Sequence, residues 1–336
     1  MKQKQSKPPK RNFIQEFKNS PPDVRKEKVR KFFMGSKESD GFCKLFVIYA
    51  LLICIGFVYL YPLLYMISNS FMDMEDLLDT SVNWIPSKLN LENYRNAAKS
   101  MQFWNSFLKS VVIAGVPTVI NVIVCACVGY GFARFEFRGK YLCMGILIFS
   151  YILPSVVTMM PTYVLYSKFG LIGHLTSFVL PSIFGQGLNC QLFILIFWQF
   201  FRQVPKVLIE AGQVDGAGYL KSFVRISLPS AAPAILTVFL FSVVWYWNES
   251  YLTQMYVVGY FQKQDLWTSL MVELKSFNDN YGSAMAASST SGVTQSNNES
   301  IRFAATMLSI LPVMIMYFVL QRQFVESIDN AGITGE

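Results

Sequence analysis

LFVIYALLICIGFVYLYPLLYMI, residues Leu45–Ile67, runs for 23 positions without a charged side chain. A helix needs about 20 such residues to cross the hydrocarbon of a bilayer. The run is apolar on every face, whereas a helix packed on a soluble core keeps a polar side. Comparable runs follow at Phe107–Ala133, Tyr141–Tyr163, Phe178–Phe200, Ala231–Trp247 and Ile301–Leu320. The chain therefore reads as an all-α membrane protein with six transmembrane helices. The 53% apolar share of its 336 residues exceeds the roughly 45–50% usual for soluble domains.

Charge placement orients the spans. Residues 1–44 carry 13 Lys/Arg against 5 Asp/Glu, and the remainder carries 16 of each, so the net charge of +8 resides in the first 44 positions. With the start inside, the other inside segments are 134–140, 201–230 and 321–336. Together with the N-terminal segment they hold 21 of the 29 Lys/Arg. Short loops rich in Lys and Arg stay on the cytoplasmic side, so both termini are expected there. The basic segment interleaves Phe13, Ile14, Phe17, Phe32 and Phe33 with its charges. That pattern suits an interfacial helix or a disordered arm facing membrane lipid, and no nucleic-acid partner is expected. The first apolar run begins too late and is too long for a cleaved signal peptide, and reads as an uncleaved anchor. The expected organisation is a basic segment 1–44, a first helix 45–67, an extracytoplasmic segment 68–106, a core 107–320 and a cytoplasmic tail 321–336.

Proline and low-complexity positions refine the course. Pro154 and Pro161 should kink the third span by removing backbone donors, which favours a transport pathway over a lone anchor. Residues 169–181 read as a short outside reversal, and the polar patch 286–299 as a mobile outside segment.

Several chemistries are disfavoured by what the chain lacks. No Asp, Glu, Lys or Arg stands in the middle of any run, where ion-driven carriers keep a coupling group, so a secondary transporter is the weaker reading. No G-x-x-x-x-G-K-[ST] occurs, so this chain is not expected to bind ATP by a P-loop. Energy for active transport must then enter from another polypeptide. Cys43, Cys54, Cys125, Cys127, Cys143 and Cys190 form no C-x-x-C pair, and His174 is the one histidine, so no metal centre, disulfide framework or catalytic group is expected.

Between two apolar runs lies VPKVLIEAGQVDGAGYLKSFVRISLP, Val204–Pro229. Pro205 suits the first position of a helix. Val207, Ala211 and Val214 follow at i, i+4 and i+7 as one apolar stripe. Gly216 and Gly218 are expected to end that helix, and a second short helix over Tyr219–Ile226 to fold back before Pro229. Ala211, Gly212, Gly216 and Ala217 are small enough for a partner's groove to close around the backbone. Glu210 and Asp215 offer charge to a basic partner residue, or simply cap and solvate the turn. On the residues alone an ordinary cytoplasmic loop is an equal reading.

Glu210, Ala211, Asp215, Gly216, Phe223, Ile226, Leu228 and Pro229 resemble the "EAA" loop of the membrane subunits of ATP-binding-cassette importers. Gly212 stands where a second alanine is usual, and Ser327 and Thr334 depart from that family's tail. Leu91–Tyr94, Ala133–Lys140, Trp247–Glu249 and Gln321–Gly335 also resemble its carbohydrate-importer branch, in particular the maltose-system type with a glycine-ended tail. The resemblance implies the transmembrane domain of a type I importer working by alternating access. It implies that the 204–229 loop is a coupling helix seated in a cleft of an ATPase. The implied partners are a second homologous permease, two ATPase subunits that hold ATP and Mg, and an extracytoplasmic solute-binding protein. No cofactor is implied on this chain. An oligosaccharide or sugar derivative is the expected solute, with a non-sugar solute as the alternative. Tyr246, Trp247 and Asn248 are candidates for the substrate pathway, since aromatic faces stack on sugar rings and amides bond hydroxyls. Trp245 and Trp247 equally suit an interfacial aromatic belt.

Overall fold

The computed structural model describes residues 42–79, 84–258, 267–277 and 297–333, with Pro21, residues 35–36 and 39–40, and Ser81. The basic arm and the polar patch of the sequence reading lie almost wholly outside these. The chain divides into two compact units, Met1–Tyr65 and Met66–Glu336. In the first, β1 (Gly35–Ser36) pairs antiparallel with β2 (Ser39–Asp40), Gly35 opposite Asp40. Most of α1 (Phe42–Ser70) also belongs to it. Ile53 and Tyr59 on α1 are exposed, as befits a helix whose solvent is hydrocarbon.

The second unit opens with α2 (Met74–Leu78) and α3 (Glu92–Ser100). Asp73 caps α2 by accepting from the Asp76 N–H at 3.0 Å. The Asn93 amide donates to the Ser70 and Met72 carbonyls at 3.0 and 2.8 Å. The Tyr94 and Ser70 hydroxyls share a hydrogen bond at 2.8 Å. The Leu91–Tyr94 stretch therefore fastens α3 to the chain leaving α1.

Packing is arranged around α4 (Phe103–Arg134). After it come α5 (Lys140–Ile152) and α6 (Ser155–Lys168), then α7 (Thr176–Ile183) and α8 (Cys190–Gln203). The next stretch holds α9 (Lys206–Val214), α10 (Tyr219–Ser222), a π turn (Phe223–Ser227), α11 (Leu228–Ser230) and α12 (Ala232–Asn248). A second π turn (Thr253–Val258), α13 (Leu270–Lys275) and α14 (Asn297–Ile333) complete the unit. Both α8 and α12 lie along α4. One core cluster gathers Ile113, Phe178, Tyr246, Trp247, Tyr256 and Ala304. The other gathers Tyr130, Phe193, Phe197, Phe201, Phe223 and Val238, at the end of the bundle that carries the 204–230 segment.

Three helices are long and apolar enough to cross a membrane singly, namely α1, α4 and residues 299–323 of α14; six spans result when each bent helix pair counts as one. Two expected spans depart from straight helices. The third bends by 99° between α5 and α6, because Pro154 offers no N–H and keeps Leu153 extended at ψ 125°. The fourth, expected as one helix over 178–200, is broken at 184–189. Gly185 and Asn189 take left-handed φ values of 70° and 55° there, which no continuing helix accommodates. The apolar average over that run conceals the sequence FGQGLN, Phe184–Asn189.

Candidate functional site

The 204–230 segment folds as a helical hairpin. Pro205 stands just ahead of α9 as its N-cap, with ψ 132°, where the sequence reading put it inside the first turn. At the far end Gly216 has φ 79°. Its N–H donates to the Gln213 carbonyl at 3.0 Å, and the Ala217 N–H to the Gly212 carbonyl at 2.9 Å. That pair of bonds is a Schellman stop, and glycine is the residue that takes its left-handed position without strain. Gly218 is extended, at φ −67°, and precedes α10 instead of ending α9. The expected helix over 219–226 is α10 followed by the π turn.

The apolar stripe faces outward. Val207 is 70% exposed and Val214 88%, while Ile209 is the buried residue of α9. Leu220 adds a third apolar side chain at 76% exposure. Glu210, Ala211, Asp215, Gly216 and Pro229 are exposed, and Gly212, Ala217 and Leu228 are half-buried. The hairpin thus presents bare valine and leucine flanked by two carboxylates. Gly212 is small for an internal reason: a Cβ there would lie 2.6 Å from Ile226 Cδ1. Its missing side chain lets α9 close on the π turn.

The hairpin is tied to the bundle at both ends. Arg134, the last residue of α4, donates from Nη2 to the Val204 carbonyl at 2.6 Å. On the other side Tyr130 meets the rings of Phe223 and Phe201 at 4.7 and 5.4 Å, and Phe135 meets Tyr219 at 5.6 Å. The sequence reading found the hairpin but missed these anchors. Their signal was an arginine and two aromatics at the end of an apolar run.

Of the pathway candidates, Tyr246 and Trp247 are packed inside the chain, at 2% and 6% exposure, and Asn248 is exposed. The Trp247 indole donates to the Ser309 carbonyl at 3.1 Å, tying α12 to α14. Tyr246 shares a hydrogen bond with Ser182 at 3.0 Å and accepts from the Leu188 N–H at 3.1 Å. Ser182 already donates to the Phe178 carbonyl at 2.7 Å, so the phenol is the donor to it. Nearby, Thr118 and Asn121 donate to Ser242 at 3.0 and 3.4 Å, and the Cys190 thiol donates to Asn121 Oδ1 at 3.1 Å. A Cβ on Gly187 would come within 2.5–2.8 Å of Asn121, Ser182 and Tyr246. This buried polar clasp holds the break in the fourth run against α4 and α12. On its other side the break leaves Gln186 and Asn189 exposed.

Comparison with known proteins agrees with this architecture. Residues 123–330 match the family described as binding-protein-dependent transport system inner membrane component. The chain is similar to the diacetylchitobiose uptake system permease protein NgcG of Streptomyces coelicolor, 27% identical over 84% of this chain and 86% of that one. It is also similar to the polygalacturonan/rhamnogalacturonan transport system permease protein YtcP of Bacillus subtilis, 24% identical over 86% and 97%. A third relative is the arabinooligosaccharides transport system permease protein AraQ of Halalkalibacterium halodurans, 26% identical over 84% and 93%. Among solved structures, a chain of a bacterial ABC transporter involved in the import of the acidic polysaccharide alginate shares the fold. It matches with a TM-score of 0.68 and 22% identity, over 83% of this chain and 95% of that one. The chain belongs to the family of inner membrane components of binding-protein-dependent transport systems, as a multi-pass membrane protein.

Proposed function

We propose that this chain is the permease subunit of an ATP-driven importer for an oligosaccharide or sugar derivative, and that Val204–Ser230 is where separate ATPase subunits act on it. The carrying observation is the hairpin itself. It exposes Val207, Val214 and Leu220 together with Glu210 and Asp215, and fixed contacts join it to α4. An exposed apolar helix face of this kind fits docking into a groove on a partner. The positive-inside count supports a cytoplasmic hairpin and cytoplasmic termini. The sugar assignment is supported by the saccharides named for NgcG, YtcP and AraQ. A second permease, two ATPase subunits and an extracytoplasmic binding protein complete the assembly, and ATP with Mg belongs to the ATPase subunits.

In this reading ATP-driven closure of the ATPase pair displaces the hairpin, and the bent helices reorient about a central pathway. The exposed amides of Gln186 and Asn189 at the broken span join Asn248 as groups suited to sugar hydroxyls. Irregular backbone at membrane depth occurs where it is buried in protein or lines a water-filled cavity, and both conditions fit this break. The test is a pair of substitutions, Glu210→Lys and Gly216→Val. The first reverses a charge on the docking face. The second forces a β-branched residue into a left-handed position, at a cost of about 1–2 kcal/mol or more. Both are expected to abolish ATPase co-purification and ATP-dependent uptake while membrane insertion stays normal. Undiminished uptake in both variants would contradict the assignment.

A further inference from the structure

Arg134 at the end of α4 and two serines of the hairpin carry buried polar atoms without partners. Among the described residues four buried side-chain N or O atoms have no hydrogen-bond partner, and three of them are Arg134 Nε, Ser222 Oγ and Ser227 Oγ. Ser222 precedes the π turn and Ser227 is its last residue. Arg134 grips the front of the hairpin through the Val204 carbonyl. Buried polar groups are normally satisfied, so each of these atoms calls for an explanation. A π turn within a helical stretch is a frequent feature of functional sites.

The geometry makes Arg134 the link. Val204 ends α8 directly ahead of Pro205, at the 73° bend into α9. Its carbonyl is held by the guanidinium, a charge-assisted bond and among the stronger of neutral-acceptor contacts. One turn earlier on the same helix Tyr130 packs on Phe223, and the next residue after Arg134, Phe135, packs on Tyr219. The end of α4 therefore touches the hairpin at its entry and on its second arm. A displacement of the hairpin must either carry that end with it or disturb these contacts.

We propose that Arg134 is the positioning residue through which movement of the 204–230 hairpin is delivered to α4. This rests on the reading that ATPase subunits dock on the hairpin. The ring contacts of Tyr130 and Phe135 are non-directional and can slide, so without the Arg134 bond the hairpin could hinge at Val204–Pro205 and move α8 and α12 with little displacement of α4. With Arg134 in place its motion is shared with α4, the helix around which the second unit packs.

The test uses the complete importer, with its ATPase subunits, in lipid nanodiscs, and compares the natural chain with Arg134→Ala and Arg134→Lys. The readout is the change in deuterium exchange produced by ATP plus vanadate, in peptides covering 206–217 and 125–135. In the natural protein both regions respond. In R134A the ATPase subunits stay bound and the hairpin still responds, but the response over 125–135 falls about tenfold, within the range that one charged hydrogen bond controls. R134K, with a single flexible ammonium in place of the planar fork, gives an intermediate response. Should R134A not accumulate, R134K alone must still fall below the natural protein. An unchanged response over 125–135 in the accumulated variants overturns the proposal, as does loss of ATPase binding in both. If the natural chain itself binds no ATPase, the functional reading fails instead.

Discussion

Gly212 shows how a single side chain, or its absence, sets the geometry of the hairpin. The position is helical, where alanine is favoured over glycine by about 1 kcal/mol. Yet the space for a Cβ is taken by Ile226 Cδ1. Because only the tip of a flexible side chain must yield, Gly212→Ala is expected to leave ATPase co-purification near the natural level. Gly212→Val adds bulk that Ile226 cannot clear and restricts χ1 as well. It is expected to cost about 1–3 kcal/mol of overpacking and to reduce co-purification several-fold. Equal behaviour of the two variants would mean that α9 does not close on the π turn as described. The substitution pattern around Gly212 was visible in the sequence, but its reason was not. The contact joins residues 14 positions apart through a π turn, and no helical or strand period encodes such a turn.

At the scale of elements, long runs without charge made the spans legible, while their interruptions were only partly so. Proline marks the bend between α5 and α6 plainly, since its effect on its own N–H and on Leu153 is local. The break between α7 and α8 was missed because Gly185, Gly187 and Asn189 stand among large apolar residues that dominate any window average. What holds the break open is tertiary, being a clasp built by Asn121 on α4, Ser182 on α7 and Tyr246 on α12. Tyr246 was singled out for an aromatic face. Its hydroxyl instead carries the observed role, donating to Ser182 and accepting from Leu188. Tyr246→Phe leaves the half-buried Leu188 N–H without its partner, at a cost of about 1–3 kcal/mol. Gly187→Ala drives a methyl into three polar groups that have no room to withdraw, and is expected to destabilise at least as much. Thermal unfolding in detergent checks both. Midpoints equal to that of the natural protein would remove the clasp from the account.

For the whole molecule, the sequence carried the class and the position of the polar helical segment at 204–230, because both follow from composition along the chain, while the coupling role proposed for that segment came from the resemblance of its motif. Charge counts and the search for a P-loop needed no structure, and they led to the expectation of cytoplasmic termini and of energy supplied by a separate ATPase. Which side chains of the hairpin stand exposed was not legible in the same way. Val207 and Val214 read as one apolar stripe whose facing the spacing leaves open, and the fold turns them outward at 70% and 88% exposure. That exposure is costly for an isolated chain and fitting for a subunit. The central claim, that ATPase subunits act on this hairpin, is tested most directly by placing a photo-crosslinking residue at Val214 and another at Tyr141, which is 87% exposed on α5. After irradiation of membranes containing the full transport system, the account predicts a covalent adduct between position 214 and a P-loop ATPase, lost on adding Glu210→Lys, and none from position 141. An ATPase adduct from position 141 with none from 214 would contradict it.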